Sequence, residues 1–195
     1  MDILLSIFLL PFFFLFLLPI SVLIKIEDFG TIFYSSFRLG KSRIPFQMFK
    51  FRTMKVNAPD IRLVDGSTFN SKNDSRVTKI GKFLRETSID ELPQLFNVIL
   101  GNMSFVGPRP DVQSTTVFPK EYKRVFLVKP GITGYNQAFF RNESSRLEKL
   151  NNDLYYINHF SFLLDLKILF QTIKILFLKK GTYKVIENEN SRNRG

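Results

Sequence analysis

The chain has 195 residues, 45% of them hydrophobic, with 23 Phe, no Trp and a formal net charge of +11, which suits one domain plus an appendage and calls for an anionic partner or surface. It has no Cys and a single histidine, His159, so disulfides, iron–sulfur clusters, thiolate zinc sites and multi-histidine metal centres are excluded or disfavoured, and a reducing, cytoplasm-facing setting is compatible. Apolar residues concentrate near both ends and no long basic run is present, which favours lipid or phosphorylated substrates over nucleic acid.

Residues 3–24 are almost wholly apolar, interrupted by Ser6, Pro11, Pro19 and Ser21. At about 1.5 Å per residue this is roughly 33 Å of helix, enough to cross a bilayer core. A signal peptide fits poorly, because no Lys or Arg precedes the run and no small-residue cleavage site follows it. Pro19 removes a helical hydrogen bond, so a kink near Leu15–Pro19 is expected. On the residues alone, a bent spanning helix and a re-entrant one are both open. Lys25, Arg38, Lys41 and Arg43 place the C-terminal side of the segment in the cytoplasm.

Residues 31–55 read as short extended pieces around a turn at Arg38-Leu39-Gly40-Lys41. Gly40-Lys41-Ser42 is similar to the end of a phosphate-binding P-loop, but Ser35 stands where that loop needs glycine, so this reading fails. The run Phe46 to Met54 alternates like a strand and puts Lys50 and Arg52 on one face. By itself it would be an edge strand with solvated charges. Residues 57–75, rich in Asn, Asp, Ser and Gly, read as a mobile loop.

Arg76, Lys79, Lys82 and Arg85 lead to the acidic pair Asp90-Glu91 at a predicted helix start. Ser88-x-x-Glu91 matches a capping box, and Pro93 suits a helix's first turn. Glu91 could therefore simply cap. Yet a cap needs one carboxylate, and two stand here with Arg85 close by, so capping and catalysis are evenly balanced at this point. Gly107-Pro108-Arg109-Pro110 then holds a guanidinium in a stiff frame suited to phosphate. Lys129-Pro130-Gly131-Ile132-Thr133-Gly134 is a second rigid loop, followed by Gln137, Arg141 and Asn142 as candidate polar contacts. His159, between Asn158 and Phe160, reads as structural or interfacial.

Residues 160–178 are again apolar, but Asp165, Lys167 and Lys174 interrupt them. Each would cost about 2.5–3.5 kcal/mol at a bilayer centre, so a helix lying in the interface or on the core is expected rather than a span. The polar tail 187–195 is expected to be disordered.

Four pieces carry a resemblance: Lys50-Phe51-Arg52-Thr53-Met54; Arg85 through Pro110; Lys129 through Gly134; and Asp153-Leu154-Tyr155-Tyr156 with Phe162 through Lys167. In this order, over nearly the whole chain, they resemble the monotopic phosphoglycosyl transferases, a bacterial sugar transferase family that starts lipid-linked glycan synthesis. The resemblance implies a mostly helical α+β fold in three parts: a re-entrant membrane helix over 1–26 broken at Pro19, a catalytic domain over 27–186 with short strands and interfacial amphipathic helices, and the tail 187–195. It implies transfer of a sugar 1-phosphate from a UDP-sugar to undecaprenyl phosphate, with release of UMP, on the cytoplasmic face of the bacterial inner membrane.

By the same resemblance Asp90 is the nucleophile, forming a phosphosugar–aspartyl intermediate, and Glu91 helps hold Mg²⁺. Arg85, Arg109, Lys50, Arg52, Gln137 and Arg141 are the expected phosphate- and substrate-binding residues. Expected partners are the UDP-sugar, undecaprenyl phosphate and the lipid bilayer, with a second copy or a downstream glycosyltransferase as further candidates, and no nucleic acid. The chain departs from the family pattern at Leu18 (often Ser), Ser36 (often Gln), Asn102 (often Asp), and Asn136 and Phe140 (small residues), the last two placed to tune the sugar pocket. No basic residue precedes Ile3. The competing reading is a non-catalytic membrane adaptor on the same fold. The intact Asp90-Glu91 with Arg85 and Arg109 argues against it.

Overall fold

A computed structural model describes residues 2–61, 69, 71, 73–111, 120–141 and 144–178. Helix α1 (Asp2–Asp28) runs unbroken through both Pro11 and Pro19, so the expected break at Pro19 does not occur. It is long and apolar enough to cross a membrane, with mean hydropathy 2.8 in its richest window. Only one stripe of it is buried: Ser6, Phe13, Ile20 and Ile24 recur at helical spacing along nearly its full length. The remaining faces leave large apolar side chains such as Leu4, Phe8, Leu15 and Leu18 exposed.

The buried stripe seats α1 on the rest of the chain. Phe13 stacks on Phe51 at 6.1 Å and meets the edge of Phe96 at 5.1 Å. Phe51 belongs to an antiparallel hairpin of β1 (Phe33–Leu39) and β2 (Pro45–Phe51), in register from Phe33–Phe51 to Leu39–Pro45. The hairpin turns through Lys41–Arg43, where Ser42 and Arg43 take left-handed backbone angles. Its position matches the two extended pieces expected around Arg38–Lys41.

Two short helices follow, α2 (Lys79–Thr87) and α3 (Gln94–Ile99). Among the described residues no third strand pairs with the outer edge of β2. Instead the side chain of Asn97, fully buried in α3, accepts from Phe49 N (3.0 Å) and donates to Gln47 O (2.7 Å). One amide thus satisfies two edge groups and fixes α3 against β2.

Strands β3 (Ser104–Val106) and β4 (Gly131–Thr133) pair in parallel. They bring the two rigid loops of the sequence side by side: Gly107 N donates to Thr133 O and Gly131 N to Pro108 O, each at 2.9 Å. The crossing leaves no room for side chains, since a Cβ on Gly131 would lie 2.1 Å from Gly107 N. Helices α4 (Tyr135–Phe139), α5 (Arg146–Asn158) and α6 (Phe162–Leu178) close the fold. A full capping box starts α5, at Ser145 and Glu148. Tyr156 OH donates to Asp165 (2.8 Å), and Thr172 Oγ1 lies 2.7 Å from Thr133 Oγ1, so α6 is pinned to both α5 and β4. α6 buries Ile168 and exposes Phe162, Leu163, Phe170 and Ile173.

The architecture is the expected mostly helical α+β fold with short strands. The expected mobile loop at 57–75 falls partly, and the tail 187–195 wholly, outside the described residues.

Candidate active site

Helix α2 ends at Ser88, which adopts a left-handed conformation (φ 57°). The chain then tightens into a 3₁₀ turn, Ile89–Glu91, before Pro93 and α3. The capping-box reading of Ser88 and Glu91 is corrected here. Ser88 makes no side-chain cap, and the Glu91 carboxylate points away to two cations. A left-handed residue cannot present its hydroxyl to the helix as an extended N-cap does.

The turn places Asp90 inward, 8% exposed, against the face of β2 that carries Lys50. Lys50 Nζ lies 2.6 Å from Glu91 Oε1 and 3.6 Å from Asp90 Oδ2. Arg109, from the Gly107–Pro110 turn, donates to the same Glu91 oxygen at 2.9 Å. The two carboxylates are therefore unequal. Glu91 is clamped by two cations and held well below the usual carboxylate range by Arg109 and Lys50, against the opposing effect of burial. Asp90 has only the more distant Lys50 ammonium as an ion-pair partner among the described residues. Burial pushes its pKa up, and the Glu91 charge pushes the same way, while Lys50, Arg85 and Arg109 oppose.

Arg85 faces this site from α2, its Nε bonded to Thr53 Oγ1 at 2.9 Å. Arg141, left-handed at φ 50°, lies within electrostatic reach of Glu91, and burial lowers its pKa. Four cations (Lys50, Arg85, Arg109, Arg141) thus surround two carboxylates, a surplus of positive charge. Gln137 packs beside Gly134, with both side-chain amide atoms buried and without hydrogen-bond partners among the described residues.

Arg52 goes elsewhere. It is 8% exposed, and its guanidinium bonds Asp28 in the last turn of α1, Thr31 O (2.6 Å) and Met54 O (3.1 Å). Strand alternation does not distinguish it from Lys50, since both lie on one face. His159 caps α5, with Nδ1 2.9 Å from Tyr155 O and its ring stacked on Tyr155. Asn142 lies outside the described residues. Sequence reasoning missed Asn97, Thr53 and Asp28 as positioning residues. Thr53 and Arg52 stood within the matched Lys50–Met54 segment, whereas nothing local marked Asn97 or Asp28.

Residues 1–179 match the profile of the bacterial sugar transferases. The chain belongs to that family. An exopolysaccharide production protein, ExoY, from Sinorhizobium fredii is 38% identical over 87% of this chain and 80% of its own length. A UDP-glucose:undecaprenyl-phosphate glucose-1-phosphate transferase of Klebsiella pneumoniae is 42% identical over 86% of this chain. A UDP-N-acetylgalactosamine-undecaprenyl-phosphate N-acetylgalactosaminephosphotransferase of Aeromonas hydrophila is 39% identical over 93% of it. The chain spans only 37% and 44% of the length of these last two relatives.

Asp90 and Glu91 are the two carboxylates of the site that could hold a hard cation. Mg²⁺ is commonly held by one or two carboxylates, with substrate phosphate oxygens and water completing the shell. No cluster of three or more His, Cys, Asp or Glu occurs among the described residues. Two carboxylates fit an ion whose shell is completed by oxygens from outside the protein rather than one caged by protein alone.

Proposed function

We propose that this protein transfers a sugar 1-phosphate from a UDP-sugar to undecaprenyl phosphate, releasing UMP, through a phosphosugar intermediate on Asp90. The unequal dyad is the observation that carries the reading. Glu91 is locked between Lys50 and Arg109, whereas Asp90 is buried, lightly paired and raised in pKa. A less stabilised carboxylate is the better nucleophile, and the cation-bound one is the better charge anchor.

Asp90 Oδ attacks the phosphorus that bears the sugar. A new P–O bond forms, and the P–O bond to UMP breaks with its electron pair leaving on UMP. An oxygen of undecaprenyl phosphate then attacks the same phosphorus and releases Asp90 as a carboxylate. Lys50, Arg85, Arg109 and Arg141 offset the charge of two approaching phosphates, the main electrostatic demand of phosphoryl transfer. Mg²⁺ held at Glu91 would neutralise further diphosphate charge. Gln137, with its donor and acceptor both free of partners, is suited to hydrogen-bond the nucleotide or the sugar.

The exposed apolar faces of α1 and α6 support a seat in the cytoplasmic leaflet of the inner membrane, where a polyprenyl phosphate presents its headgroup. The buried stripe of Ser6, Phe13, Ile20 and Ile24 keeps α1 against the domain along nearly its whole length, which supports a seat beside that domain. The adaptor alternative is disfavoured by a buried Asp90 beside a half-buried Glu91 clamped by Lys50 and Arg109, an arrangement that lipid binding does not need.

Asp90→Asn is expected to reduce UMP release from UDP-sugars by about 10³-fold or more, since the nucleophile is lost while the cationic pocket stays. Full turnover by this variant would refute the mechanism. A panel of UDP-sugars, read by the same UMP assay, identifies the donor.

A further inference from the structure

The last turn of α1 carries two adjacent carboxylates, and each holds a different segment of the catalytic apparatus. Glu27 accepts from the free N–H groups of Lys79 (2.6 Å) and Ile80 (2.9 Å) at the start of α2. Asp28 takes the guanidinium of Arg52 and the N–H of Val56 (2.8 Å) just beyond β2. Helix α2 presents Arg85 and runs into the turn bearing Asp90, while β2 presents Lys50. Thr53 joins the two segments: its carbonyl accepts from Thr78 N (3.1 Å), and its hydroxyl accepts from Arg85 Nε (2.9 Å).

A second observation shows that the turn is built around Arg52. A Cβ on Gly30 would lie 2.5 Å from Val56 Cγ2, 2.8 Å from Arg52 Cζ and 2.9 Å from its Nη2, so Val56 and the guanidinium together fill the space the glycine leaves. Arg52 Nη2 is buried without a partner, a cost that a surface turn would not carry.

We propose that Glu27 and Asp28 form a two-part latch through which the seating of the membrane helix sets the placement of Lys50 and Arg85 against Asp90. They are positioning residues and touch no substrate. When α1 is seated, the latch clamps the start of α2 and the end of β2 together. When it is not, the two cation-bearing segments are free to part, and the dyad loses its frame. The latch thereby confines efficient chemistry to protein whose membrane helix is docked, at the surface where the lipid acceptor is found.

This inference rests on the transferase reading above, and its test separates the two. Full-length wild type, Asp28→Asn, the double variant Glu27→Gln/Asp28→Asn, Gly30→Ala and Asp28→Glu are compared in lipid nanodiscs. Readouts are UMP release, thermal melting and membrane retention. Displacing the latch is expected to lower kcat by about 10-fold or more while KM for the UDP-sugar changes less than about twofold, because orientation rather than binding is lost. Gly30→Ala, which pushes Arg52 from its place, is expected to share this pattern, and Asp28→Glu to recover part of the rate. Unchanged kcat in the double variant overturns the latch. So does a rate loss matched by equal losses in KM and melting temperature, which marks plain scaffolding. An inactive wild type on every UDP-sugar would instead sink the transferase reading itself.

Discussion

At Asp90 and Glu91, adjacent residues of one chemical type acquire different properties from what surrounds them. Glu91 sits 2.6 Å from one cation and 2.9 Å from another, and Asp90 sits 3.6 Å from the first alone. Replacing Arg109 by Lys keeps the charge but loses the planar fork that reaches Glu91 while the turn stays rigid. The expected result is a fall of about 10-fold or more in kcat/KM with little change in melting temperature. Steady-state kinetics beside a thermal melt would check it. Asp153 offers a test on stability. It is buried, and burial together with the charge of Asp111 pushes its pKa up to about 8, against the opposing pull of Lys149 and Arg109. From roughly pH 4 to pH 8 the folded chain keeps a proton that the unfolded chain has released. Stability contributed by the neutral carboxyl is therefore whole below that window and declines as pH rises through it. Asp153→Asn should melt several degrees higher than wild type near pH 8 and match it near pH 4. Equal melting at both pH values would contradict the assignment.

Elements were legible where the signal was local. The apolar N-terminal helix, the hairpin around Arg38–Lys41, the Asp90–Glu91 turn and the C-terminal amphipathic helix all stand near their expected places. The Ser88–Glu91 capping motif misled because its spacing is the same whether Ser88 is extended or left-handed, and the angle is decided by how α2 must turn into the core. Arg52 misled because its partner lies 24 residues away at the end of α1. The parallel pairing of the Gly107 and Gly131 loops is likewise non-local, since each strand is only three residues long and carries no strand signal of its own. That pairing has almost no tolerance for added atoms. A Cβ on Gly131 meets backbone at 2.1 Å on Gly107 N and 2.3 Å on Thr133 O, with no flexible side chain to give way. Gly131→Ala should thus destabilise by about 3 kcal/mol or more, placing it among the severe substitutions. Urea denaturation in mild detergent would measure this, and a wild-type midpoint would show that the crossing is looser than described.

For the whole molecule, α1 is not a tether to a distant domain. Glu27 and Asp28 hold α2 and the end of β2, while Asp2, at the opposite end, lies within electrostatic reach of Asp165 and Tyr156. A helix of about 40 Å that stays against the domain at both ends accounts for its single buried stripe and its otherwise exposed apolar surface. A cysteine placed at position 2 should accordingly resist labelling from the periplasmic side, and efficient labelling there would mean that α1 crosses and leaves the domain. Charge follows the same plan. The net +11 suits the proposed seat at an anionic leaflet and the proposed handling of phosphates, and Lys50 and Arg109 converge on the Asp90–Glu91 pair. The central claim remains chemical: Asp90 forms a covalent bond to the phosphosugar. Its most direct test is exchange of labelled UMP into the UDP-sugar with no polyprenyl phosphate present. A phosphosugar–Asp90 intermediate predicts rapid exchange that Asp90→Asn abolishes. Turnover with acceptor but no exchange without it would contradict the covalent route and require direct transfer between the two substrates.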